Sequence, residues 1–279
     1  MAIVYSYRSL KNFSLFTIAI YFFVYHYIYD NFLSDKRQAK TLAELENRLT
    51  DLGIQGRVDR LHPFKSLREA IDEGLRRGTK TLVAVGNDET FKKILDVAAG
   101  MGVTVGYVPL APESAFAELL GIPLGVAACD ILAARLTEKL DVGRVNGQYF
   151  LAAVSFDAKN VKLECEGRFR LELVAGGRVS IMNIAAVERD APEHVANPFD
   201  GLLEAVLEPA AAGPRPFRGR AVPSVLPIKR VVARSPEAFS LYSDGRELKS
   251  QNAEIDLAKE KLKVIIGKSR LFAAMAGGG

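Results

Sequence analysis

Cysteine is scarce: Cys129 and Cys165 are the only two in 279 residues. Neither stands in a Cys-x-x-Cys or Cys/His spacing, which excludes a disulfide-framework protein and a finger-type zinc site and points to a reducing compartment. Histidine is nearly as rare. His26, His62 and His194 lie far apart with no His-x-x-x-His pair, so no helix face offers two imidazoles to a metal, and each is read as a structural or surface residue. No repeat of fixed period occurs, so solenoids and propellers are excluded. A strong excess of charge is also missing. The net charge of +4 is too slight for a nucleic-acid footprint without a clustered face, although it suits an anionic partner such as a nucleotide or an acidic membrane surface. What is present is ordinary globular composition, 49% hydrophobic and 25% charged, on a chain long enough for about two domains.

The first thirty residues differ from the rest. Arg8 and Lys11 precede an apolar, aromatic-rich run from Phe13 to Tyr29 that is slightly short for the ~20 residues of a membrane helix. No small-x-small cleavage site follows before Asp30. Three readings stand open for this run: an upstream extension, a membrane-touching anchor, or a segment of the fold in which Tyr25 to Tyr29 is a buried strand.

From Asp30 the pattern is regular. Thr41 to Glu44 reads as a capping box, with Leu42, Leu45, Leu49 and Leu52 at helical spacing up to Gly53. Val58 to Leu61 reads as a strand, Ser66 to Arg77 as a helix ended by Gly78, Thr81 to Val85 as a strand buried on both faces, Phe91 to Ala99 as a helix, and Val103 to Val108 as a second buried strand. This alternation predicts an α/β layer with a mainly parallel sheet.

After Gly125 strand patterns dominate: Gly143 to Val154, Val161 to Glu166, Phe169 to Val174, Arg178 to Val187, Leu202 to Leu207, Lys229 to Ala233, Ala238 to Ser243 and Glu254 to Leu257. Turn signals at Asn146-Gly147, Gly176-Gly177 and Asp244-Gly245 separate several of them, and a β-sandwich is predicted. Pro209 to Pro227, rich in Pro, Gly, Ala and Arg, reads as an exposed loop. The expected division is an apolar extension over 1–24, an α/β domain over 25–124, a β-sandwich over 125–261, and a return strand with tail over 262–279.

Two strand-to-helix junctions stand out, Val85-Gly86-Asn87-Asp88-Glu89-Thr90 and the segment Pro109 to Pro123. In an open α/β sheet both face the crevice beyond the carboxyl ends of the strands, where ligands bind; two helix caps without a ligand are the plain alternative. With these junctions, with Asp141 to Phe150, with Phe199-Asp200-Gly201-Leu202-Leu203 and with Asp244-Gly245, all in order, the chain resembles the diacylglycerol kinase catalytic-domain family, the bacterial soluble lipid kinases, from about Tyr27 to Leu271. The resemblance implies two domains with ATP in the crevice between them, held by a GGDGT turn and a PLGTGNDFARTLGIP-like segment, and an Asp-Gly-Glu motif supplying the general base. Carried onto this sequence, it places nucleotide contacts at Gly86, Asn87, Asp88, Glu89, Thr90, Pro109, Glu113 and Ser114. It places the catalytic carboxylate among Asp200, Asp244 and Glu247, and a metal at Asp88 and Asp200. For Asp200 a plain Asp-Gly turn is an equal alternative.

The sequence departs from that pattern where the chemistry would sit. Glu89 replaces the glycine that lets amides approach phosphate, Pro112 removes an amide donor, and Glu113 adds a second carboxylate. One carboxylate ~4 Å from a phosphate charge costs ~1 kcal/mol in water and ~4 kcal/mol at an effective dielectric near 20. Arg246 stands where the base would be, and a guanidinium accepts no proton. Glu247 substitutes only if a bulge resets the register. The favoured expectation is therefore a lipid-kinase-like protein with impaired or absent phosphotransfer that binds a lipid or partner in the crevice. The alternative is an active kinase using ATP and Mg²⁺ on a diacylglycerol-like hydroxyl, and a third is a two-domain protein without a small ligand. A lipid or membrane surface is the expected partner, with Arg215, Arg218, Arg220, Lys229, Arg230 and Arg234 either touching headgroups or forming a solvated loop. Nucleic acid is not expected, and a homodimer is left open. The expected location is cytoplasmic, with peripheral or anchored contact to the inner membrane as a variant.

Overall fold

A computed structural model describes residues 24–61, 66–184, 196–210 and 223–272. The extension before Val24, His62, His194 and the arginines at 215, 218 and 220 lie outside the described residues.

The first sheet consists of β1 (Tyr25–Tyr29), β2 (Arg57–Arg60), β3 (Thr81–Gly86), β4 (Thr104–Pro109), β5 (Thr137–Leu140) and the late strand Leu262–Ile265, in the spatial order β2, β1, β3, β4, Leu262–Ile265, β5. All neighbours are parallel except β5. Every residue of β1, β3 and β4 is buried, as their unbroken apolar runs require of strands covered on both faces. Tyr25 to Tyr29 is thus a core strand of the sheet.

Five helices cover this sheet: α1 (Ala39–Asp51), α2 (Leu67–Arg76), α3 (Asp88–Ala98), α4 (Ala115–Leu120) and α5 (Ala128–Ala134). The capping box expected at Thr41 is not used. Helix α1 begins two residues earlier, behind short 3₁₀ turns capped by Asp30 and Asp35, and has no side-chain cap of its own. Helix α3 also begins earlier than its apolar period, because Asn87 accepts from the Thr90 amide and adds a polar first turn. The stretch Ala115–Ala134 has a mean hydropathy of 1.8, enough by composition for a membrane span. It is broken between α4 and α5, where Gly121 adopts a left-handed conformation, and it contributes Phe116, Leu120 and Leu132 to the core.

The second sheet contains β6 (Gly143–Val145), β7 (Gln148–Phe150), β8 (Ala153–Asp157), β9 (Lys162–Cys165), β10 (Phe169–Glu172), β11 (Gly177–Met182), β12 (Leu203–Pro209), β13 (Ser224–Ile228), β14 (Arg230–Ser243) and β15 (Arg246–Leu257). Its pairings are antiparallel. The two short strands read at 229–233 and 238–243 are one long strand whose register shifts between Arg234 and Phe239. On either side of that shift β14 pairs with β9 and with β8, so alternate residues of both stretches, Val231, Ala233 and Leu241, meet one core. Pro227, read as loop, lies on the edge strand β13, where a missing N–H is tolerated. After β15 the chain returns to the first sheet as β16 (Leu262–Ile265), between β4 and β5.

Candidate functional site

The expected crevice corresponds to the region between the carboxyl ends of β3 and β4 and the turn between β14 and β15, where Lys92 of α3 donates to the Ser243 carbonyl. Gly86 closes β3. A Cβ there would lie 2.7 Å from the Asp30 Cβ and 2.8 Å from the Thr90 Oγ1. The glycine is therefore demanded by packing, since Thr90, itself buried, donates its hydroxyl to Asp30 directly beneath it. Asn87 accepts from the Thr90 amide at 3.0 Å.

Asp88 is taken up inside the protein. One oxygen accepts from the Tyr107 hydroxyl at 2.9 Å and from Ser114; the other accepts from the Ala115 and Phe116 amides at 2.8 and 3.5 Å. Its charge thus sits at the start of α4, with Ser114 as that helix's cap, accepting from Ala117. Burial chiefly raises the Tyr107 hydroxyl above its usual range, which keeps it protonated as a donor to Asp88. Pro109 ends β4 and is buried. Glu89 and Glu113 are exposed, so the water-screened end of their repulsion toward a phosphate applies.

On the other wall, Asp244 and Gly245 form a two-residue turn with φ of 47° and 81°, the conformation that Asp-Gly supplies in a type I′ hairpin. The Asp244 carboxylate accepts from the amides of Leu151, Ala152 and Ala153 at 2.7, 2.9 and 3.0 Å. Burial pushes this carboxyl up, against the pull of those amides and of Lys92. Ser243 pairs with Arg246 and Tyr242 with Glu247, so the register beyond the turn is unbroken. Arg246 shares a face with Ser243, and Glu247 lies on the opposite face, accepting from the Ser240 hydroxyl at 2.6 Å. The bulge that Glu247 needs to replace Arg246 is absent there.

Two residues that the sequence did not single out, Lys92 and Asp96, complete the junction and share one face of α3 with Glu89. Lys92 is 3% exposed and donates to the Ser243 carbonyl. Burial holds its ammonium below the usual range, opposed by Asp244, Asp96 and Glu89. Asp96 accepts from the Tyr149 amide at 3.0 Å and is raised by burial. The available signal was a polar stripe at helical spacing following a strand end; Lys92-Lys93 reads otherwise as a surface pair.

Asp200 is exposed on the turn before β12, accepting from the Leu202 amide at 3.0 Å. Its neighbour Glu204 is pushed up to about 7, by burial first and then by Asp200. Among the described residues no bond joins Asp200 to Asp88, and no three His, Cys, Asp or Glu side chains come together as metal donors. With Asp88 also taken up by four internal donors, the side chains do not fit the expected Mg²⁺ pair. An opening of about 200 Å³ lies elsewhere, among Ile28, Asp59, Arg60, Leu61, Ser66, Leu67 and Ala70; it is below the usual size of a small-molecule pocket.

The model of the diacylglycerol kinase catalytic domain matches residues 25–145. A protein of Pseudomonas aeruginosa named "Probable lipid kinase YegS-like" is 37% identical over 86 residues, 30% of this chain and 28% of that protein. The diacylglycerol kinase of Bacillus subtilis (strain 168) is 27% identical over 116 residues, 40% of this chain and 38% of its own. The matches thus span well under half the length of these relatives. A crystal structure of a diacylglycerol kinase from Bacillus anthracis str. Sterne superposes with a TM-score of 0.67 at 15% identity, covering 89% of this chain and 98% of that one, which shows the shared fold. Over residues 25–145 the chain is thus similar to the diacylglycerol kinase catalytic domain, and over most of its length it shares the fold of the solved diacylglycerol kinase structure.

Proposed function

We propose that this is a lipid-kinase-family protein without phosphotransfer, acting by binding a lipid or a partner in the crevice between α3 and the β14–β15 turn. The observation that carries the reading is the register of that turn: Arg246 follows Asp244-Gly245 and pairs with Ser243, and Glu247 faces the other way. A guanidinium accepts no proton from a lipid hydroxyl. Further support comes from Asp88, whose oxygens are engaged with Tyr107, Ser114 and the start of α4. The cytoplasmic face of a membrane is the corresponding location.

One feature favours the second reading, an active kinase using ATP and Mg²⁺ on a diacylglycerol-like hydroxyl. Asp96 lies near Arg246 and Lys92, and burial raises its carboxyl, as suits a general base. Calorimetric titration of the full chain with Mg-ATP, paired with a radiolabelled diacylglycerol assay, separates the two. No turnover is expected from the wild type or from Arg246→Glu alone. Robust wild-type turnover that Asp96→Asn abolishes would establish the second reading instead.

A further inference from the structure

Strand β10 is an outer strand: it pairs with β9 and, among the described residues, with no other strand. Its sequence and the first residue beyond it read Phe169-Arg170-Leu171-Glu172-Leu173. Phe169, Leu171 and Leu173 alternate with Arg170 and Glu172, so one face is apolar and the other charged. On the apolar face Leu171 and Leu173 pack against the core of the second sheet, and Phe169 is 41% exposed. On the charged face, Arg170 is opposite Glu164 of β9, and Glu172 is opposite Lys162. Both Arg170 and Glu172 are exposed, and neither forms a salt bridge among the described residues.

This five-residue pattern is complementary to itself when reversed about Leu171. An antiparallel copy centred there places Leu171 against its own counterpart, Phe169 against Leu173 of the second copy, and Arg170 against Glu172 of the second copy, with the same two contacts repeated by symmetry. The charged row then runs Glu164, Arg170, then Glu172 and Lys162 of the second copy, alternating in sign across the junction. A register shifted by one residue would set Phe169 opposite Glu172 and Arg170 opposite Leu171, losing both complementarities.

From this juxtaposition we infer that the β10 edge is a homodimer interface, in which two copies of the chain join their second sheets antiparallel about Leu171. One short strand pair covers a small area, so the association belongs to the weak, reversible class with micromolar dissociation. The exposed ring of Phe169 is covered in the dimer, as is the open backbone edge. This interface is independent of whether the crevice is catalytic.

Sedimentation velocity on the full chain tests it. The wild type is expected to show a concentration-dependent dimer. Arg170→Glu and Glu172→Arg each set like charges opposite one another twice across the dyad, and each is expected to weaken association by roughly tenfold or more. Mixed one to one, the two variants become complementary again, so the dimer should return as a heterodimer. That return separates loss of the interface from local fraying of β10, in which the reversed charge would face a like charge, Glu164 or Lys162, on its own β9. Three results would each overturn the inference: a wild type that stays monomeric throughout the micromolar range, variants that dimerise as tightly as the wild type, or a mixture that stays monomeric.

Discussion

On the first-domain wall of the crevice, Asp88 is held by side-chain and amide donors that all lie within that domain. On the second-domain wall, Asp244 is held by three amides of its own domain and approached by Lys92, which crosses from α3 of the other. The first carboxylate organises one helix start. The second, with Lys92, ties the two sheets together. Asp88 and Asp244 are both engaged in internal bonding, while Glu89, Glu113 and Arg246 are exposed.

That contrast is sharpest at Asp244→Ala. Removing this carboxylate frees three amides and leaves Lys92 buried without its main opposite charge, a loss of about 3 to 5 kcal/mol. Urea unfolding checks it, and a loss no larger than that of Asp88→Ala would erase the distinction between the walls. For Asp88→Ala the expected cost is about 1 to 3 kcal/mol, the scale of a buried hydrogen-bonded cap. Hydrogen exchange should localise the opening to α4 and leave the β14–β15 turn protected; opening at both places would show the walls to be coupled.

Glu204 supplies a pH-dependent test beyond the crevice. Its folded-state value of about 7 lies above the ordinary 4.5 of a free glutamate, so the protonated form favours the fold. Its contribution is present below about 4.5 and is lost as the pH rises through about 7. Glu204→Gln should therefore raise the melting temperature at pH 8 and leave it nearly unchanged at pH 4; equal shifts at both would refute the titration. The smallest effect belongs to Glu247→Gln. It alters one exposed contact to Ser240, so stability should change by less than about 0.5 kcal/mol and lipid or nucleotide binding not at all. A binding defect would place Glu247 in the crevice after all.

The buried strands β3 and β4 were legible because runs such as Thr81 to Val85 leave no polar face, and the Asp-Gly turn was legible from its residue types. Helix α5 and strand β5 were not. Ala128 to Ala134 carries little periodicity, and α5 stops at Arg135, whose φ of 52° no residue type announces. The length of β14 was hidden by its register shift, since Ser235-Pro236 interrupts the alternation in sequence while the strand continues in space. At the site, the sequence exposed each lost motif but not what the surviving ones do. That Asp88 serves α4, and that Lys92 is buried, depends on partners 26 and 151 positions away. No local pattern encodes such distances.

Strand β16 carries a consequence for the order of events in folding. It lies between β4 and β5, so the first sheet cannot close until residues beyond Leu262 are available, although β5 is made long before. Residues 141–261, which carry the whole second sheet, must be spanned before that pairing forms, and non-local pairing of this kind is slow. A ribosome releasing this chain would present β4 with an unfilled edge for most of its synthesis. Truncation just short of β16 should therefore disable the amino-terminal half rather than the half from which residues were removed.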